Sequence, residues 1–126
     1  MGRRVVAGRR IGDLESAILD VLWSASGWLS GREILERLGG ESKAYTTVLT
    51  VLGRLVEKSL VERAEAGRAF VYRAAGDPDE LTAQAIRELL AASAHPRAAL
   101  AHFVAGLDDP DLIAELSSAL RRSGRG

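Results

Sequence analysis

No cysteine occurs among the 126 residues, so the chain forms no disulfide and offers no thiolate to a metal. Histidine is nearly as scarce. His95 and His102 are the only two, they fall in different short segments, and no ordered carboxylate pair joins them at metal-ligand spacing. Neither a metal nor another cofactor is expected. Long apolar runs are missing too. Between the arginine pairs ending at Arg4 and beginning at Arg9 stand only Val5, Val6, Ala7 and Gly8, too few for a signal peptide or a membrane span. The expected location is the cytoplasm. Ser30 sits in a helix-capping pattern rather than a nucleophile elbow, and the glycines form no phosphate-cradling loop after a strand, so no catalysis is expected.

The formal net charge is zero, but the sign changes along the chain. Residues 1–76 hold twelve Lys/Arg and nine Asp/Glu, whereas residues 77–126 hold five and eight. A surface for an anionic partner needs local cations rather than a high overall pI, so the neutral total does not exclude nucleic acid. At 47% hydrophobic content, a chain of this length closes one modest core with an appendage, not two large domains.

The richest stretch is Ala44-Tyr45-Thr46-Thr47-Val48-Leu49-Thr50-Val51-Leu52-Gly53-Arg54-Leu55. Val48, Val51, Leu52, Leu55 and Val56 recur at steps of three and four, the spacing of a buried helix stripe. Thr46, Thr47, Thr50 and Arg54 project from the opposite side, with Lys43 and Lys58 at its ends. Hydroxyls, methyls and cations suit base edges and phosphates.

Upstream, a first helix is expected over residues 12–25, buried through Leu14, Ile18, Val21 and Leu22. Trp28 and Leu29 form a turn or short strand. Ser30 and Glu33 make a capping box for a second helix, buried through Ile34, Leu35 and Leu38 and ended by Gly39 and Gly40. Downstream, residues 60–66 and 69–74 read as two strands joined at Gly67 and Arg68, with Phe70 and Tyr72 alternating along the second. One face of that hairpin should pack on the helices, and Arg68 stands at its tip. Helix, helix-turn-helix pair and hairpin together spell a winged helix-turn-helix.

Proline occurs three times, and each instance punctuates a helical C-terminal region. Asp77 caps a helix with Pro78 at its first position, His95-Pro96 stops it near Ser93, a second helix spans residues 98–107, and Asp109-Pro110 opens a third. Leu81, Ile86, Leu89, Leu90, Phe103, Val104, Leu107, Leu112, Ile113, Leu116 and Leu120 give these helices apolar stripes. Some fifty residues in three short helices cannot close a core alone, so a two-fold partner chain is expected to cover them. The expected fold class is mainly α with a small β-hairpin. Its parts are a basic flexible tail over residues 1–11, a winged helix over 12–76, a helical dimerisation region over 77–122 and a flexible tail over 123–126.

Beyond the stretch just described, Ile11-Gly12-Asp13-Leu14-Glu15, Leu22-Trp23, Gly67-Arg68-Ala69-Phe70-Val71-Tyr72 and Ala101-His102-Phe103-Val104 resemble the penicillinase repressor family, also called the BlaI/MecI/CopY family. The likeness extends from about residue 10 to residue 120. It implies a homodimeric bacterial repressor whose winged helix binds an inverted-repeat operator in double-stranded DNA and whose C-terminal helices form the dimer; the residues themselves point to Lys43, Ala44, Thr46, Thr47, Thr50, Arg54 and Arg68 as the DNA contacts. It also implies a membrane-embedded sensor metallopeptidase as upstream partner, with His102-Phe103 as the candidate cleavage site, although Phe103 reads equally well as dimer core. Two departures stand out. The C-terminal cysteines of copper-responsive members are absent, and Gly53 occupies a position where relatives commonly carry a longer polar residue. Two alternatives remain open: a repressor relieved by a small ligand, and a winged helix that binds protein. The second would call for large apolar groups on the outer face of the third helix.

Overall fold

A computed structural model describes residues 4–40 and 44–124. Their contacts divide the chain into two compact units, residues 1–86 and 87–126.

The first unit holds three helices, α1 (Asp13–Ser24), α2 (Gly31–Arg37) and α3 (Tyr45–Glu57). A hairpin of β1 (Arg4–Val6) and β2 (Arg9–Ile11) precedes them, and a three-stranded antiparallel sheet combines β3 (Leu29–Ser30), β4 (Val61–Ala66) and β5 (Ala69–Ala74) in the order β3-β5-β4. Its core joins Ile18, Leu19 and Leu22 of α1, Ile34 of α2, and Val48, Val51, Leu52 and Leu55 of α3 to Leu29, Leu60, Val61 and Tyr72. At about 1.5–3 kcal/mol for each fully buried aliphatic side chain, this interlock is what fixes α3 on its support.

Local chemistry sets the boundaries. Glu15 accepts from the Gly12 amide at 2.9 Å and caps α1, while Ser30 and Glu33 exchange hydrogen bonds of 2.9 and 3.1 Å at the start of α2. The α3 helix ends in a Schellman turn: Leu60 N–H donates to the Leu55 carbonyl and Ser59 N–H to that of Val56, both at 3.0 Å. That geometry puts Ser59 at φ 64°, a left-handed conformation in which a side chain costs energy. In the wing, Gly67 at φ 66° takes the first of the two positions between paired Ala66 and Ala69.

Three expectations are corrected. Residues 4–11 are not a flexible tail: Val6 and Ile11 are buried in the core, and Ala7 and Gly8, both at positive φ, turn the chain between β1 and β2. Arg4 holds this hairpin to α1, donating to Ser16 at 3.1 Å and pairing with Asp20 at 2.8 Å. Leu81, expected at the dimer interface, is only 3% exposed and completes the first unit's core. The start of α4 (Pro78–Ala92) is anchored there, because the Trp23 indole donates to the Gly76 carbonyl at 2.9 Å and Asp77 and Glu80 form a capping box. Phe70, finally, stays half-exposed near the wing tip while Tyr72 packs inward.

The second unit comprises the end of α4 with α5 (Pro96–Ala105) and α6 (Pro110–Ser123). Pro96 opens α5 as well as closing the preceding turn, since its missing N–H costs nothing at a first helical position. Asp109 caps α6 through the Asp111 amide at 2.9 Å. The α6 helix runs past the expected end into Ser123, supported by Arg122, which reaches Ser118 at 2.9 Å and Glu115 at 3.0 Å. Neither α5 nor α6 contains a buried residue. Leu90, Leu107 and Leu116 are half-buried, whereas Leu89, Phe103, Val104, Leu112, Ile113 and Leu120 are exposed, as is Ile86 at the end of the first unit.

Candidate nucleic-acid interface

Helix α3 is divided lengthwise. Val48, Val51, Leu52 and Leu55 point into the core, while Thr46, Thr47, Thr50 and Arg54 are exposed and, with the edge of Val51, line a shallow depression of about 210 Å³. The expected reading face is thus brought together on one open surface. Thr50 donates its hydroxyl proton to the Thr46 carbonyl at 2.9 Å, which leaves its lone pairs and methyl group facing outward. Thr50 can therefore meet a donor or a thymine methyl but has no proton to give.

Ala44 begins α3 with extended backbone and no side-chain cap, and its carbonyl accepts from Thr47 and Val48 at 3.1 and 3.2 Å. The first turn of α3 therefore carries the positive end of the helix dipole and holds no acidic residue of its own. Lys43 lies outside the described residues. Arg68 is exposed at the second position of the wing turn. At Gly53 a Cβ would meet nothing within 4 Å, so no close packing calls for glycine there.

Lys58 departs from expectation. Its ammonium is drawn across to α1 and pairs with Glu15 at 2.7 Å, which removes it from the reading face. Burial of Glu15 works to raise its pKa. The Lys58 hydrogen bond, the Gly12 amide and the charges of Lys58 and Arg54 outweigh that and hold it below its ordinary 4.5.

One residue that positions the face is invisible to pattern reading. Gly31, the first residue of α2, is buried against α3, where a Cβ would lie 2.9 Å from Leu49 Cδ2 and 3.2 Å from Tyr45 Cε1. Only glycine lets the two helices of the pair approach this closely. The sequence marks Gly31 merely as the second residue of a capping box.

Three helices closed by a two-stranded wing, with threonines and an arginine on the open side of the third helix, define a winged helix-turn-helix of the DNA-binding class. The particular lineage follows from comparison with known proteins. Residues 11–122 match the family described as penicillinase repressor, and the chain belongs to that family. Over 110 residues it is 41% identical to the transcriptional regulator BlaI of Mycobacterium tuberculosis, in two strains, spanning 82% of this chain and 80% of that protein. Among solved structures, the solution structure of the Bacillus licheniformis BlaI monomeric form in complex with the blaP half-operator aligns at 29% identity. It covers 57% of this chain and 88% of that one at a TM-score of 0.47. The ferric uptake regulator of Pseudomonas aeruginosa aligns at 28% identity over 56% of each chain, TM-score 0.49, so the match spans about half of that protein. Family membership makes the chain a transcriptional repressor and not an enzyme. No described helix is long and apolar enough to cross a membrane.

Proposed function

We propose that this repressor works in the cytoplasm as a homodimer on an inverted-repeat operator, with Thr46, Thr47 and Thr50 meeting base edges and Arg54, Arg68 and Lys43 meeting phosphates. The observation that carries this reading is the two-sided α3: an apolar stripe seated in the core and an outer face with no large apolar group, where hydroxyls, methyls and a guanidinium precede the Glu57 carboxylate at the helix's C-terminal end. A protein-binding helix would put leucines or aromatics there.

Homodimerisation is supported by the second unit. Leu89 at 73% exposed, Leu120 at 63%, and Phe103 and Leu112 both at 55% leave an apolar surface that a second copy covers with the same residues through an isologous contact. Two reading helices spaced by about one turn of duplex, roughly 34 Å, then demand an operator of two inverted half-sites. Cleavage at His102-Phe103 by a membrane sensor metallopeptidase is the proposed route of derepression. A cut there would separate α6, and with it Leu112 and Leu120 of that surface, from the reading unit.

Selection of bound duplexes from a random pool tests the proposal. Two inverted half-sites about one helical turn apart, centre to centre, are expected; recovery of a single asymmetric site would refute the two-fold reading.

A further inference from the structure

Four arginines lie over aromatic rings in the first unit, and they divide into two kinds. Arg4, 5.3 Å above the Trp23 ring, and Arg73, 4.4 Å above that of Trp28, each pair one nitrogen with a carboxylate, that of Asp20 at 2.8 Å and that of Glu62 at 2.7 Å. Arg32, 4.4 Å above the Tyr45 ring, and Arg63, 4.5 Å above the Phe70 ring, have no carboxylate partner among the described residues. Both are exposed.

We propose that Arg32 and Arg63 are preorganised phosphate clamps, one beside the first residue of α3 and one on the wing. The inference rests on the reading of α3 as a DNA-binding helix. A guanidinium whose flat face is covered by a ring has lost much of its rotational freedom, while the donors along its edge keep the fork geometry that matches two phosphate oxygens; Arg63 turns part of that edge to the Tyr72 hydroxyl and keeps its other donors for phosphate. Guanidinium is also weakly hydrated for a cation, so little solvation is given up on contact.

The surroundings fix both side chains. Tyr45, under Arg32, packs against Gly31 at the closest approach of α2 and α3. Arg63 stands opposite Tyr72 in the β4–β5 register. Burial raises the Tyr72 phenol's pKa, and the nearby Arg63 charge and hydrogen bond work against that rise. Each clamp is thereby tied to the elements that carry the reading face. Neither depends on base identity, so their contribution is to affinity and register rather than to sequence choice.

The test titrates the full-length protein with a mixed-sequence duplex of about three helical turns across a series of salt concentrations. Arg32→Ala and Arg63→Ala should each lower the slope of log affinity against log salt by about 0.9, and the double variant by about twice that. Arg63→Lys should keep the slope but bind more weakly, because charge remains and the fork is lost. Phe70→Leu should likewise keep the slope while weakening binding about two- to fivefold, the loss expected from an exposed cation–π contact. Thermal melts of each variant verify that the fold is retained.

Alanine variants with the wild-type slope would overturn the clamps while leaving DNA binding intact. Phe70→Leu binding as tightly as wild type would overturn the role of the ring. A wild-type protein with no salt-dependent duplex binding at all would overturn the DNA reading and the clamps with it.

Discussion

Lys58 Nζ stands 2.7 Å from Glu15 Oε2, and the other oxygen of that carboxylate takes the Gly12 amide at 2.9 Å, so one side chain both caps α1 and latches the end of α3. The Glu15 side chain is only 12% exposed, which makes the pair costly to break from one side. Lys58→Ala is expected to destabilise the first unit by about 1–3 kcal/mol, the cost of leaving a mostly buried acceptor unanswered. Urea denaturation measures this. The same variant should leave the salt dependence of DNA binding unchanged, because the Lys58 charge is already spent inside the protein. A slope reduced by about 1 would return Lys58 to the reading face.

Acid should loosen this unit. Glu15 is held below 4.5 as described above, and Glu33 is held there by the Ser30 amide and then the Ser30 hydroxyl. A carboxylate whose folded pKa lies below its unfolded value binds fewer protons folded than unfolded. Its contribution is therefore complete above 4.5 and is lost as pH falls through the folded pKa. The urea midpoint is expected to fall as pH is lowered below 4.5, and Glu15→Gln should flatten that decline. An equally steep decline in the variant would place the acid sensitivity elsewhere.

How far the sequence revealed these features depends on the range of the interaction. Helix order, the Ser30–Glu33 box and the division of α3 are local, written in steps of three and four, and they were legible. The Lys58–Glu15 latch joins residues 43 apart, and nothing in the pattern around Lys58 distinguishes a latch from a DNA contact. Leu81 misled for a related reason: it continues the stripe of Ile86, Leu89 and Leu90, and periodicity tells which face is apolar but not what covers it. The β1–β2 hairpin was hidden by its composition, since short strands with exposed arginines read as a solvated tail. Burial of Val6 and Ile11 outweighs that local preference.

Within the reading face, threonines and arginine are expected to separate by experiment. Thr47→Ala removes a hydroxyl and a methyl suited to base edges, so it should change the ranking of operator variants. Arg54→Ala should weaken all duplexes alike and reduce the salt slope by about 1. Competition titrations against a panel of half-site variants distinguish the two. A uniform loss for Thr47→Ala would remove it from base reading, and an unchanged slope for Arg54→Ala would make Arg54 an ordinary solvated side chain.

Ser59 offers an independent stability test, because the Schellman turn holds it at φ 64°. Replacing it by glycine relieves a conformational cost of about 1 kcal/mol without touching the core. Ser59→Gly is expected to raise the melting temperature by roughly 4–8 °C, the shift that such an energy gives a domain of this size. A lower melting temperature would mean that the serine side chain contributes more than the strain it bears.

The proposed dimer makes the sharpest demand on the second unit. Leu112 is 55% exposed on α6, so an aspartate at that position stays solvated in an isolated chain and leaves its fold intact. In a two-fold interface the same aspartate is buried without a partner, at a cost of several kcal/mol. Leu112→Asp should therefore sediment as a monomer with an unchanged melting transition for the first unit. That monomer keeps one complete reading face and should still bind a half-site. It loses the effective concentration that tethers a second reader, a gain that reaches factors of about 10² to 10⁴. Leu81→Asp serves as the contrasting case, since Leu81 lies in the first unit's core, and that variant should unfold rather than dissociate. A Leu112→Asp protein that remains dimeric, or a monomer that binds the full operator as tightly as wild type, would show that the exposed leucines of α6 do not hold the repressor together.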